Sequence, residues 1–125
     1  MSPGMFRKIL VVDDHEDNRR ILRDLLTRAG MEVVEAITGE DAVTRAEKDG
    51  VDLVIMDIQL PDMDGYEATR RIKALPEGRG VPIIAVTSYA LSGDEAKAVE
   101  AGCDGYVSKP FSPRALLAKV REYLP

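Results

Sequence analysis

The sequence predicts an α/β fold: one doubly wound (βα)5 domain with a five-stranded parallel sheet in the order 2-1-3-4-5. Three observations carry this expectation. Five short β-rich runs alternate with helical patterns along the whole chain. Most of the runs are continuously apolar, as parallel strands covered on both faces are. The 125 residues suffice for one hydrophobic core and are too few for two. Right-handed crossovers then put helices on both faces of the sheet.

The strands are expected at Lys8–Val12, Glu32–Ala36, Asp52–Met56, Pro82–Val86 and Gly105–Ser108. After the first, Ile21, Leu22, Leu25, Leu26 and Ala29 form a stripe at helical spacing, and Gly30 fits its stop. The second helix opens with Thr38 and Asp41 at the spacing of a capping box and stops near Gly50. The third runs from about Tyr66 to Leu75, with Pro76 ending it. The fourth opens with Ser92 and Glu95, another capping box, and stops at Gly102; Ala96, Val99 and Ala90 are its inward candidates. The fifth has Ser112 as N-cap and Pro113 at its first position, with Leu116, Leu117, Val120 and Leu124 inward. Met56 reads as core. Residues 1–4 are expected to lie outside the folded domain or to be foreign to the natural chain, which then starts at Met5.

Composition narrows the function. Acidic residues number 22 and basic residues 17, a net charge of −5. Phosphate backbones need a basic face, so no nucleic-acid partner is expected. No apolar run approaches the roughly 20 residues of a membrane helix, so no membrane partner is expected either. Cys103 is the single cysteine. That excludes an internal disulfide and a cysteine-rich zinc site, and makes the cytoplasm the expected compartment. Cys103 itself reads as a small buried apolar residue.

Ligands of doubly wound sheets bind beyond the carboxyl ends of the strands, at the point where the strand order reverses. The residues at those ends are Asp13 and Asp14, Asp57, Thr87 with Ser88, and Lys109 with Pro110. Each alone could be a cap or a surface ion pair; together they converge on one rim. Two carboxylates about 4 Å apart repel by roughly 4 kcal/mol at an effective dielectric of 20. Three need a cation or must take up protons. An all-oxygen set with open positions suits a hard ion such as Mg2+. Lys109 is expected too far round the rim to serve merely as a partner for Asp13. A lysine, a hydroxyl and a dication around one carboxylate would stabilise a phosphoryl group. His15 follows the acidic pair closely enough to feel a metal there; its plainer reading is a loop histidine with no role.

VVDD (Val11–Asp14), MDIQLPDMDG (Met56–Gly65), AVTS (Ala85–Ser88) and YVSKPF (Tyr106–Phe111) stand in that order. On these motifs the chain resembles response-regulator receiver domains of two-component signalling over residues 7 to 124, most closely the single-domain DivK and CheY-like type and the receivers of hybrid kinases. The resemblance implies a flavodoxin-like fold and a role for each matching residue. Asp57 would accept the phosphoryl group. Asp14 and Asp57 would bind Mg2+ with the backbone carbonyl of Gln59, and Asp13 would assist through water. Thr87 and Lys109 would contact phosphoryl oxygens, and the Lys109–Pro110 peptide would be cis, aiming Lys109 inward. The side chain of Gln59, and Tyr89, would influence attack by water.

Thr87 and Tyr106 match the family's switch pair, although Tyr106 is also readable as an ordinary half-buried strand aromatic. The output face would be the fourth helix, fifth strand and fifth helix. Asn18, Ile21 and Pro110 occupy places that fit docking of a histidine kinase or histidine phosphotransfer protein; Ile21 is equally readable as the edge of the core stripe. The protein would be a monomer or weak homodimer and a signalling switch rather than a metabolic enzyme, catalysing only its own phosphorylation and dephosphorylation. Two alternatives are a receiver cut from a hybrid histidine kinase and a phosphatase of the haloacid-dehalogenase type. The second needs a general acid where Gln59 stands. Nucleotide-binding glycine motifs are absent.

Overall fold

The computed structural model describes residues 7–87 and 94–124. Ten elements alternate strictly: β1 (Lys8–Val12), α1 (Glu16–Arg28), β2 (Glu32–Ala36), α2 (Gly39–Lys48), β3 (Leu53–Asp57), α3 (Gly65–Ala74), β4 (Ile83–Thr87), α4 (Asp94–Ala101), β5 (Gly105–Ser108) and α5 (Pro113–Tyr123). The sheet is wholly parallel in the order β2-β1-β3-β4-β5. Fold class and strand order are as the sequence predicts. β3 and β4 each start and end one residue later than expected, so Asp57 and Thr87 are the last residues of their strands rather than the first beyond them.

Side-chain alternation along the central strands divides the core in two. Ile9, Val11, Leu53, Ile55, Ile84 and Val86 pack against Leu22 and Leu26 of α1 and Leu116 and Val120 of α5. Leu10, Val12, Val54, Met56, Ile83 and Ala85 face the other way, onto Ala42 and Ala46 of α2, Ala68 and Ile72 of α3, and Ala98 and Ala101 of α4. β1, β3 and β4 are buried almost end to end, which is why they read as continuous apolar runs. β2 lies at an edge, and its Glu32 is exposed.

The helix signals were sound where a short polar side chain stood at the start. Thr38 accepts a hydrogen bond from the Asp41 N–H at 3.0 Å, and Ser112 one from Ala115 at 3.0 Å with Pro113 following. Gly30 and Gly102 carry positive φ just past α1 and α4. Three expectations are corrected. α3 begins at Gly65, one residue early, because Asp64 caps it by accepting the Glu67 N–H at 2.8 Å. Ile21 is not part of the core stripe of α1; its side chain is 52% exposed. The inward face of α4 is Ala98 and Ala101, while Ala96 is exposed and Val99 is 67% exposed. The short helix has apolar residues in two phases, and the smaller pair is the one that fits against the sheet. Ser92, Ala90, Tyr89, the side chain of Glu95 and residues 1–4 lie outside the described residues and side chains.

At the amino ends of the strands, Asp104 gathers a dense set of bonds just before β5. Its Oδ2 accepts from Lys73 Nζ at 2.9 Å and from the Ile83 N–H at 2.8 Å. Its carbonyl accepts from the Tyr123 hydroxyl at 2.6 Å, and Lys73 Nζ also donates to the Val81 carbonyl at 2.7 Å. α3, β4, β5 and α5 are thereby joined at this rim.

Candidate functional site

The opposite rim collects the unusual residues. Parallel strands all deliver their carboxyl ends to the same edge, so Asp13, Asp57, Thr87 and Lys109 meet there although they are far apart in sequence. Asp13, Asp57 and Thr87 are 3%, 2% and 2% exposed, and they are three of the four buried polar residues among the described residues. Burial of carboxylates on this scale requires partners.

Lys109 is the cationic partner. Its Nζ stands 3.5 Å from Asp13 Oδ2 and 3.6 Å from Asp57 Oδ2. The expectation that Lys109 lies too far round the rim for Asp13 is therefore corrected: it bridges the two carboxylates. The Lys109 N–H donates to the Thr87 carbonyl at 2.7 Å, which ties the loop after β5 to the end of β4. The Lys109–Pro110 peptide is cis, as the resemblance implies.

Asp13 is held from several sides. Oδ1 accepts from the His15 N–H at 2.9 Å, and Oδ2 from Asn18 Nδ2 at 3.2 Å. Asp57 has fewer supports: Oδ1 accepts from the Gln59 N–H at 3.1 Å. Burial, more than any neighbour, pushes the Asp57 carboxyl above the usual carboxylate range. The Gln59 N–H pulls it down, Asp13 adds to the rise, and Lys109 opposes it.

Glycine is required once in this region. A Cβ on Gly65 would collide with the Asp57 carbonyl oxygen and stand 2.7 Å from Ile58 Cα. The start of α3 can thus lie directly against the end of β3 only without a side chain. The Gly65 N–H donates to the Ile58 carbonyl at 2.7 Å and fixes that approach.

The donor set suits a hard dication. Asp13, Asp14, His15 and Asp57 each present one donor atom, and the four atoms lie within 4.8 Å of one another. Asp14 Oδ1 is buried and takes part in no hydrogen bond, although His15 Nδ1 is 3.0 Å away. A buried, unpaired carboxylate oxygen beside two further carboxylates is what an Mg2+ site needs. Gln59 is exposed and next but one to Asp57, so its backbone belongs to the same rim.

Thr87 and Tyr106 lie on adjacent strands. Thr87 pairs in register with Ser108, and Tyr106 with Ala85, so the two share one face of the sheet, one step apart. Tyr106 is partly buried against the α2–α4 side of the core. Asn18, Ile21 and Pro110 also come together. With Lys109, Phe111 and Pro113 they line an open apolar groove between α1 and the start of α5. Phe111 and Pro113 were not singled out as groove residues; only the crossing of the two segments brings them there.

Sequence reasoning also passed over Asp62 and Asp64. The loop PDMD reads as an acidic turn, yet Asp62 Oδ1 and Oδ2 accept the N–H groups of Gly39 and Glu40 at 2.8 and 3.0 Å. These bonds hold the Asp62 carboxyl below the usual range. No local signal could show this, because the partner is 23 residues away.

Comparison with known proteins agrees with this geometry. The family described as response regulator receiver domain matches residues 9–121. The polar-differentiation response regulator DivK of Brucella ovis is 38% identical over 120 residues, covering 96% of this chain and 98% of that protein. Among solved structures, a CheY-like receiver domain protein from Methanospirillum hungatei superposes with a TM-score of 0.89 at 34% identity, covering 95% of this chain and 94% of the other. The receiver domain of the sensor histidine kinase PA1611 from Pseudomonas aeruginosa has a TM-score of 0.88 at 38% identity, covering 95% and 98%. That structure has a magnesium ion coordinated in its active-site cleft.

Proposed function

This chain belongs to the response-regulator receiver domain family, and from that premise we propose that Asp57 takes the phosphoryl group in a phosphorelay. The observation that carries the assignment is its placement. Asp57 is buried at the end of the central strand, between a cluster of carboxylates and Lys109. The donor is a phosphohistidine of a sensor kinase or histidine phosphotransfer protein. An Asp57 carboxylate oxygen attacks phosphorus, the new O–P bond forms, and the N–P bond breaks to return the histidine nitrogen.

Asp13, Asp14 and Asp57 would hold Mg2+ together with the Gln59 carbonyl. A bound dication there supplies positive charge against the phosphoryl oxygens. The chain's own groups do the rest. The Gln59 N–H fixes one Asp57 oxygen, so the carboxylate is oriented before the donor arrives. Lys109 lies beside the other oxygen and pairs with the charge brought by the phosphoryl group. Losing that lysine to the phosphoryl group also relaxes its hold on Asp13. Thr87, at the end of β4, donates to a phosphoryl oxygen, and Tyr106 on the same sheet face follows it. The output surface is α4, β5 and α5, where Val99 is exposed.

The groove at Asn18, Ile21 and Pro110 is the docking place for the phosphoryl donor. It is apolar, open and flanked by Lys109, so a helix carrying the phosphohistidine can rest in it while the phosphorus reaches Asp57. The domain acts as a switch, with no turnover beyond its own phosphorylation and hydrolysis. It works in the cytoplasm, the reducing compartment that fits a chain with a single cysteine. Similarity to the receiver of PA1611 supports a second setting for the same chemistry, a receiver joined to its kinase.

The test is intact-mass analysis after incubation with acetyl phosphate and Mg2+. The wild type should gain one phosphoryl group and Asp57→Asn none. Equal labelling of the two would remove Asp57 from this role.

A further inference from the structure

We propose that His15 is a nitrogen ligand in the metal pocket, so that this receiver holds imidazole-accepting dications such as Zn2+ more tightly than its carboxylates alone would. The inference rests on the reading of Asp13, Asp14 and Asp57 as metal holders. The placement of the ring, and of the Asp14 oxygen beside it, carries it. His15 opens α1 in the N-cap position, yet its side chain makes no capping hydrogen bond. The ring instead turns to the carboxylates: Nδ1 stands 3.0 Å from Asp14 Oδ1 and shares a hydrogen bond of 3.2 Å with Asp13 Oδ1, a bond that an ion between them would replace. Neighbouring ligands of an octahedral ion at about 2.1 Å stand about 3.0 Å apart, so these separations match one edge of a coordination shell. Asp14 Oδ1 makes no hydrogen bond despite that proximity, so the oxygen and the ring nitrogen border a common space.

The chain holds the ring there. The His15 N–H donates to Asp13 Oδ1 at 2.9 Å, which fixes the backbone beside the pocket. The four donor atoms Asp13, Asp14, His15 and Asp57 span at most 4.8 Å. Donors of a tetrahedral zinc shell stand about 3.4 Å apart, so the most widely spaced of the four would draw in by about an ångström as the ion binds. Chemistry then separates the metals. Magnesium takes oxygen and gains little from imidazole, whereas zinc and nickel bind imidazole well. Replacing His15 should therefore weaken one class of ion and leave the other.

His15 is the single histidine of the sequence, so untagged protein with 15N-labelled imidazole gives signals from one ring. On titration with ZnCl2 the Nδ1 resonance should shift as a coordinated nitrogen does, and on titration with MgCl2 it should not. By calorimetry, His15→Ala should raise the zinc Kd at least about tenfold and the magnesium Kd by less than about twofold. Its side chain is 67% exposed, so the variant folds, which a melting curve verifies. A zinc response at Nε2 alone, or an unchanged zinc Kd, overturns the proposal. Asp14→Asn separates the two readings. It should weaken both metals; if it weakens neither, the carboxylate pocket itself is wrong and the role of His15 falls with it.

Discussion

Asp62 Oδ1 accepts the Gly39 N–H at 2.8 Å, so a residue of the loop after Asp57 holds the amino end of α2. Its other oxygen takes the Glu40 N–H at 3.0 Å. The loop that follows Asp57 is thus fastened to a second helix. Thr38 already caps α2 from its own side, so Asp62 supplies two bonds to donors that Thr38 does not reach.

Removing this cap should cost stability in a pH-dependent way. The folded Asp62 carboxyl lies below the usual range because the Gly39 N–H, then the Glu40 N–H, bind its charged form. Its contribution is therefore present above the unfolded value near 4 and lost as pH falls through the folded value. Asp62→Ala should lower Tm by about 2–5 °C at pH 7. The gap between the two proteins should narrow below pH 4. A gap independent of pH would assign the effect to something other than the carboxylate.

Asp57 has the opposite sign. Burial raises its folded value, so the ionised form costs stability, and the cost grows as pH climbs from the unfolded value through the folded one. In EDTA at pH 7, Asp57→Asn should melt about 2–6 °C above the wild type, with the difference vanishing near pH 3. Excess MgCl2 should recover the wild type and leave the variant nearly unmoved. An Asn variant that melts lower at pH 7 in EDTA would contradict the account.

Lys109 is assigned to reading the new charge rather than to accepting the phosphoryl group. Lys109→Ala should still take the label from acetyl phosphate, measured by intact mass. Its Tyr106 resonances should then fail to move on beryllofluoride addition, while those of the wild type do. Full movement in the variant would show that Lys109 is dispensable for the switch.

Gly65→Ala tests the close approach beneath Asp57. The added methyl meets the backbone of Asp57 and Ile58, which cannot rotate away. The expected loss is about 1–3 kcal/mol by urea denaturation. Gly80→Ala is the control, since a Cβ there meets nothing within 4 Å; it should change stability by less than about 0.5 kcal/mol. Equal losses at both positions would show that contact with the β3 end is not the cause.

The fold was legible because β1, β3 and β4 are buried apolar runs and each crossover carries a local start or stop signal. Thr38, Ser112, Gly30 and Gly102 are signals of that kind. The site was legible because strand ends are read directly from strand positions, and Asp13, Asp57, Thr87 and Lys109 each fall on one. Long-range pairing was not. The bond from Asp62 to α2 and the reach of Lys109 to Asp13 depend on loop paths that no local pattern encodes. α4 defeated the phase assignment because alanine marks a buried face only weakly. Ala98 and Ala101 proved buried while the larger Val99 did not.

The set of bonds around Asp104 has a mechanical meaning. Lys73, Ile83 and Tyr123 pin the near end of β5 to three neighbouring elements. A strand anchored at one end pivots about that anchor. On the proposed switch, a push delivered at Lys109 would therefore turn β5 about Asp104, moving it most where the chain leaves the sheet. Cutting the anchor would let the push dissipate as sliding instead of swinging.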